Sequence, residues 1–275
     1  MSDSESVEIG QYGENATPFD ALSKDYDRNF THTTLGRWLR AQVWQRLAAN
    51  FAPGEHILEI GCGTGEDALW LGQRGIRVTA TDGSLAMLHI ARQKIAQRNL
   101  AHLIQTTHLD FNQPETRFDS QFDGIFANFG VLNCVKNRNC LAQTLSGWMR
   151  SRGRAIFVLM NPYCPWEILW HLGHRELSKS FRRIGQDGVS APLPGGSKIQ
   201  IWYPSPKQLI SEFQPNFRFI RLQGLGIFLP PSYLKHLVNK HPKVFRNLYN
   251  IENKLAARFP WNWLNDHYIL ELMRK

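Results

Sequence analysis

The sequence predicts an α/β protein of the doubly wound kind: a mostly parallel seven-stranded sheet with helices on both faces, an antiparallel last strand and an inserted cap. Three observations lead there. Short apolar runs alternate with helical segments from His56 to Met160, and strands apolar along their whole length need cover on both faces of a sheet. A glycine-rich turn, Gly61-Cys62-Gly63-Thr64-Gly65, joins the first such run to the first such helix. After Met160 the rhythm breaks into a stretch rich in proline and tryptophan that cannot be one more strand–helix unit.

Taken in order, residues 1–18 are acidic and polar and read as a disordered lead-in. Residues 19–53 read as an N-terminal helical lid. Within it Leu35, Leu39, Val43 and Leu47 recur every fourth residue as one apolar helix face, which Pro53-Gly54 ends. The cofactor-binding core spans 54–160, with strands expected at His56–Ile60, Arg77–Asp82, Leu103–Asp110, Phe122–Phe129 and Arg154–Met160. Its helices are expected at Glu66–Arg74, Ser84–Arg98 and Arg138–Met149, with Ser84 as an N-cap and Gly75 as a stop. Residues 161–206 read as the cap over the carboxyl edge of the sheet. The remainder, 207–275, returns to the core with strands at about Phe217–Leu225 and His267–Arg274 around a basic helical segment.

At 275 residues with 43% hydrophobic and 20% charged residues, the composition is that of an ordinary globular chain. No apolar run approaches the roughly 20 residues that a membrane-spanning helix needs. The four cysteines, Cys62, Cys134, Cys140 and Cys164, form no CxxC pair or metal-ligand cluster; with no secretion signal, the expected location is a reducing cytoplasm. The net charge of +9 gathers late, at His174–Arg183 and Lys235–Arg246. Such charge suits nucleic acid, a membrane face or an anionic substrate. Its interleaving with apolar residues at helical spacing equally describes the solvated side of amphipathic helices.

The segment from His56 to Glu66 is the most informative. An apolar strand closes on Glu59-Ile60 and runs into Gly-x-Gly-x-Gly at a helix start, where a backbone without Cβ atoms can approach a nucleoside-type ligand. Asp82, 17 residues beyond Gly65, ends the second strand, where a carboxylate can accept from both ribose hydroxyls. Asp110 and Phe111 end the third strand and offer an acid and an aromatic to a purine; Asn128 closes the fourth at the same edge. The glycine spacing differs from the Gly-x-Gly-x-x-Gly of dinucleotide folds, and no Walker lysine follows. An acid at Glu59 would repel a pyrophosphate but suits a ligand carrying an amino group and a sulfonium.

With LEIGCGTGEDALWL (58–71), VTATDGSLAML (78–88), HLDF (108–111) and FDGIFANFGVLN (122–133), the sequence resembles the class I methyltransferases, in particular the bacterial type 11 group. Looser similarity extends to FDALSKDYDRNF (19–30) and DHYILELMR (266–274). The resemblance implies S-adenosyl-L-methionine as cofactor. Glu59 and the Gly61 backbone would hold its methionine part within a cradle completed by Cys62, Gly63, Thr64 and Gly65. Asp82, with Gly83 and Met87 behind it, would take the ribose, Asp110 and Phe111 the adenine, and the Asn128 backbone would lie beside the methyl. Tyr26 would cap the methionine end. Cys62 also reads simply as a small buried filler.

Methyl transfer from a sulfonium is an in-line displacement, so the protein has mainly to align the acceptor and exclude water, with a base only where the acceptor must lose a proton. The base candidates are His32, His171, His174 and Glu167, the last three on a cap helix that also carries Trp166 and Trp170. His171 and His174 have a spacing that suits a metal, but no third ligand accompanies them and no metal is expected. The cap aromatics serve equally as core or as a flat apolar pocket, and Arg182 and Arg183 as solvated surface or as partners of an acidic substrate group. The expected acceptor is a small, largely apolar or aromatic molecule. The alternatives are a lipid or quinone at a membrane surface, an RNA, or a scaffold without activity. Strand four lacks the Asn/Asp-Pro-Pro-Tyr of base-amino methylases, so nucleic acid is the less expected partner.

Overall fold

The computed structural model describes residues 17–110, 118, 121–185, 187–193 and 196–275. Among these, seven strands form one sheet in the order β3-β2-β1-β4-β5-β9-β8. They are β1 (His56–Ile60), β2 (Arg77–Asp82), β3 (Ile104–His108), β4 (Phe122–Ala127), β5 (Met149–Met160), β8 (Phe217–Leu225) and β9 (His267–Arg274). β1 to β5 pair in parallel, and β9 runs antiparallel between β5 and β8. Two further strands, β6 (Val189–Pro192) and β7 (Lys198–Ile201), make a separate antiparallel hairpin.

The helices are α1 (Ser23–Tyr26), α2 (Thr34–Asn50), α3 (Glu66–Gly72), α4 (Leu85–Gln97), α5 (Arg138–Trp148), α6 (Pro165–Gly173), α7 (Leu177–Ser180), α8 (Pro206–Phe213), α9 (Lys235–Lys240) and α10 (Pro242–Leu255). Successive strand residues face opposite sides of the sheet. Ile57 therefore joins the apolar layer under α2, α3, α4 and α10, while Leu58 joins the layer under α5 and α8. Leu35, Leu39, Val43 and Leu47 are all buried, as their period requires. Ser84 caps α4 by accepting from the Met87 N–H at 3.1 Å, whereas α3 stops two residues short of the expected Arg74.

β5 starts at Met149, five residues before the expected Arg154, because it continues outward past a register shift against β4. The polar run Arg150-Ser151-Arg152 conceals this extension. Between Met160 and Pro206 lie α6, α7 and the β6–β7 hairpin. The hairpin's exit is pinned to the turn after β4, with the Trp202 N–H donating to the Asn133 carbonyl at 2.8 Å and Asn133 Nδ2 donating to the Trp202 carbonyl at 2.7 Å. The lead-in up to residue 16 and Phe111 lie outside the described residues.

Candidate functional site

The glycine turn is shaped by what crowds it. Gly61 has φ +64°, and a Cβ there would stand 2.4 Å from the Val131 side chain, so the turn after β4 closes directly on it. Gly63, at φ +53°, meets nothing within 4 Å on its Cβ side and leaves open space where a ligand can lie against backbone. Its N–H donates to Asp82 Oδ2 at 2.8 Å, and the Ser84 N–H donates to Asp82 Oδ1 at 2.8 Å. Asp82 is thereby aimed along the edge with a lone pair to spare on each oxygen. Burial raises its pKa, and the two backbone donors pull the other way.

Glu59, 1% exposed, is the most constrained acid of the site. Burial, reinforced by the Asp67 and Asp82 charges against an opposing Arg40, pushes its pKa well up. Its Oε2 has no hydrogen-bond partner among the described residues. An orphaned buried carboxyl oxygen at a ligand edge is an acceptor waiting for a donor or a cation.

Beside it runs a network that the sequence reading did not anticipate. Arg40 from α2 pairs with Asp67 of α3 at 2.5 Å, and Asp67 also accepts from Trp44 Nε1 at 2.7 Å and Asn128 Nδ2 at 2.8 Å. Asn128 in turn accepts from the Phe129 N–H at 2.9 Å. Phe129 is held at φ +46°, an uncommon conformation for a bulky residue, with its ring 4.8 Å from Phe30 and 5.2 Å from the Arg40 guanidinium. The sequence did carry a signal. Gly36, Arg40, Val43 and Leu47 form a buried stripe of α2, and a cation on such a stripe needs a buried partner.

The segment from Asp20 to Thr31 lies across this turn. Asp20 accepts from the Ser84 hydroxyl; Asp27 accepts from Thr64 Oγ1 at 2.7 Å and pairs with Lys94 at 2.5 Å. Lys94 also holds Glu66 at 2.8 Å. Asp27, His32 and Glu66 come close enough together to hold a metal ion, but the Lys94 ammonium already sits on both carboxylates, and the group is better described as an ion-pair cluster. With the segment in this position the cavity at the turn measures about 30 Å³, bounded by Tyr26, Arg40, Gly61, Cys62, Gly63, Thr64, Asn128 and Phe129 among others.

Tyr26, Gly61, Cys62, Gly63, Thr64 and Asn128 thus come together as a cavity; Glu59, Gly65, Asp82, Gly83 and Asp110 lie on the strands and turns around it, and Met87 in the first turn of α4. The exposed His32 does not line it. The cap residues have other work. Glu167 is a buried anion held by Arg182 at 2.8 Å and Arg183 at 2.6 Å, and Tyr233 donates to it at 3.2 Å. Although burial raises its pKa, these two guanidiniums hold it below the usual carboxylate range, so the expectation of Glu167 as a base is corrected: it is a structural counter-ion. Arg183 is likewise neither solvated nor open to a substrate, since it bridges Glu167 and Asp266 (2.9 Å) in the interior. His171 spends Nδ1 on Glu176 at 2.6 Å, and His174 is exposed with Nδ1 donating to the Trp170 carbonyl.

A second, larger cavity of about 420 Å³ opens at the same sheet edge, near the ends of β8 and β9. Pro165, Trp166, Leu169, Trp170, Ile227, Phe228, Trp261 and Leu264 line it, every one of them apolar or aromatic. His267, at the start of β9, has its ring 5.9 Å from that of Phe129, which borders the smaller cavity, and its Nδ1 3.0 Å from Asp266 Oδ2.

Residues 57–153 match the model of a methyltransferase domain. A demethylmenaquinone methyltransferase of Symbiobacterium thermophilum is 32% identical over 212 residues, covering 71% of this chain and 81% of that protein. The tRNA 5-carboxymethoxyuridine methyltransferase of Escherichia coli is 26% identical over 53% of this chain and 57% of its own. The chain spans about half the length of other curated relatives it matches, 50% and 53% in two of them. Among solved structures, the CcbJ methyltransferase of Streptomyces caelestis shares the fold at 15% identity, with a TM-score of 0.62 over 95% of this chain and 99% of that one. The chain belongs to the class I S-adenosylmethionine-dependent methyltransferases.

The residues present fit that cofactor. Glu59 supplies an unpartnered acceptor, Gly63 an open backbone face, and Asp82 two aimed carboxylate oxygens with capacity to spare. Among the described residues, no helix is long and apolar enough to cross a membrane.

Proposed function

We propose that the protein transfers a methyl group from S-adenosylmethionine to a nitrogen, oxygen or carbon atom of a small, largely apolar or aromatic molecule. The observation that carries this is the wholly apolar 420 Å³ cavity at the carboxyl edge of the sheet. Its size is that of a small-molecule site, and its walls offer dispersion and ring stacking but no charge for a polar acceptor.

The bound cofactor supplies an activated methyl; the chain's own residues do the rest. Glu59 and the Gly61 turn receive the methionine end under Tyr26, Asp82 the ribose, and Asp110 with Phe111 the base. Residues 19–53 act as the lid. The small cavity must widen to admit a nucleoside, and the bonds of Asp20 and Asp27 to Ser84, Thr64 and Lys94 are the ones that open. From the end of β4 to that of β8 there are three strand spacings, about 14 Å. An acceptor seated in the apolar cavity therefore reaches its reactive atom toward Asn128–Phe129 and is longer than a single ring. Where the acceptor must lose a proton, His267, with Nδ1 3.0 Å from Asp266 Oδ2 and its ring beside Phe129, is the best-placed base; His32 stays on the lid side.

The test is to incubate the protein with methyl-labelled S-adenosylmethionine and a cell extract, then partition the label. Label in the solvent-extractable fraction supports the reading. Label confined to precipitated RNA or protein overturns it, and an RNA acceptor like that of the 26%-identical tRNA enzyme takes its place.

A further inference from the structure

The basic C-terminal helices leave the outer edge of an apolar stripe uncovered. On α10, Val244, Leu248, Ile251 and Leu255 follow i, i+4, i+7, i+11 and share one face; Leu248 packs against the core and Leu255 is half-buried, while Val244 and Ile251 form its exposed edge. The buried Phe245 and Glu252 face the core beside them, yet Val244 is 56% and Ile251 46% exposed. Lys243 and Lys254, eleven residues apart and on one line of the helix, border the stripe on its outer side. A solvated helix over a core has its apolar face inside and its charge outside; here the apolar face runs on beyond the core to an exposed edge, Val244 and Ile251, flanked by lysines. That is the arrangement of a helix lying in a membrane interface, with apolar side chains sunk and ammonium groups at the level of the headgroups.

The surroundings continue the pattern. Phe245 on the inner side of α10 packs at 6.1 Å against Trp166, a wall of the apolar cavity. At the cavity itself Leu169 is 68% exposed, and Phe259, two residues before the lining Trp261, is 81% exposed. From Lys235 to Arg258 six cations face a single acid, Glu252, which is buried, so no exposed anion offsets them.

We propose that this face, α10 with the rim of the apolar cavity, docks on an anionic phospholipid bilayer. Charge complementarity selects an anionic surface, and the exposed apolar side chains select one with an accessible hydrocarbon layer, which a nucleic acid lacks. Resting on the acceptor reading above, docking would set the cavity mouth at the interface, so that a lipid-soluble acceptor enters from the membrane without crossing water.

The test is co-sedimentation of the full chain with vesicles of phosphatidylcholine containing phosphatidylglycerol, against pure phosphatidylcholine, with a parallel gel shift on bulk tRNA. Binding to the anionic vesicles alone is expected, and it falls with salt. With about a fivefold contribution per cation, Lys243→Glu with Lys254→Glu weakens binding at least about 25-fold. Val244→Ser with Ile251→Ser weakens it without changing the salt dependence. All four positions are on the surface, and circular dichroism checks that the variants remain folded. Absence of vesicle binding overturns the proposal, as does binding indifferent to both double variants. A tRNA shift lost in the lysine variant, without vesicle binding, assigns the face to nucleic acid instead. Because vesicle binding is read without cofactor or acceptor, its failure leaves methyl transfer standing, and a failure of transfer leaves docking standing.

Discussion

Replacing Asp82 tests the cofactor site most directly, because its geometry fixes what is lost. Each carboxylate oxygen already accepts one backbone N–H at 2.8 Å, from Gly63 and from Ser84, and each retains capacity for one ribose hydroxyl. Asp82→Ala removes two charge-assisted hydrogen bonds to ligand, about 1.5 kcal/mol each at the lower end, or about 3 kcal/mol together. That corresponds to roughly a 150-fold rise in Kd. Asp82→Asn keeps one acceptor oxygen but turns an amide donor toward one of the two backbone N–H groups, so a loss of roughly tenfold or more is expected. Isothermal titration with S-adenosylmethionine and with S-adenosylhomocysteine reads both. A 2′- or 3′-deoxy analogue sharpens the assay: the wild type should discriminate against it and Asp82→Ala should not. If Asp82→Ala binds within threefold of wild type while its melting temperature is unchanged, the ribose assignment is wrong.

Glu59 should reveal itself through protons. Burial raises its pKa in the free protein, whereas a bound ammonium or sulfonium favours the ionised form, so binding releases a proton and tightens as pH rises, by at most about tenfold per pH unit. Titration in two buffers of different ionisation enthalpy measures this release, and Glu59→Gln should abolish it; an unchanged release in that variant rules Glu59 out. Glu167→Gln should cost about 1–3 kcal/mol in urea unfolding, since it removes one of the two counter-ions of the buried Arg183 and leaves it Asp266. Glu167 and Asp266 both have lowered pKa values, so the stability they confer is present above the ordinary carboxylate range and is lost as pH falls through their folded values. A Glu167→Gln protein as stable as wild type at neutral pH would show the cluster to be dispensable. Burial pushes the Cys134 thiol up to about 11 and raises Cys62 and Cys164 as well, while Cys140 is exposed. A disulfide reagent at pH 8 should therefore titrate one fast thiol, and Cys140→Ser should remove it; fast reaction of a second thiol would contradict the burial.

The sheet was legible because its signals are local. Strand ends at Ile60, Asp82 and Leu225 follow from short apolar runs between turns, and the buried face of α2 from a four-residue period. What escaped depends on distant partners. Arg183 looks like surface in a basic run, but its counter-ions are Glu167, sixteen residues back, and Asp266, just before β9. Arg40 finds Asp67 in the same way. The β6–β7 hairpin, four residues a side in a proline-rich stretch, has no periodic signal long enough to read. The glycine turn and Asp82 were visible because a nucleoside site needs particular residue types at particular strand ends. The apolar cavity was legible only in part: Trp166 and Trp170 of the cap were open to a flat apolar pocket or to core, while the walls after β8 and before β9 look like core in a sequence.

One carboxylate shows how the two halves of the molecule are joined. Glu252, on the core side of α10, accepts from the N–H groups of Gly226 (2.8 Å), Ile227 and Phe228 (2.9 Å each) and from Gln42 Nε2 at 3.0 Å. The turn after β8 thus has its backbone donors satisfied by a side chain from the helix that carries the exposed stripe, and that turn contributes Ile227 and Phe228 to the apolar cavity. Gln42 lies two residues from Arg40, on the helix that covers the glycine turn. A displacement of α10 therefore cannot leave the cavity wall or α2 untouched without breaking charge-assisted hydrogen bonds in the interior, each of which is costly to leave unmade. α10, the turn that lines the apolar cavity and the helix beside the glycine turn share one mechanical anchor.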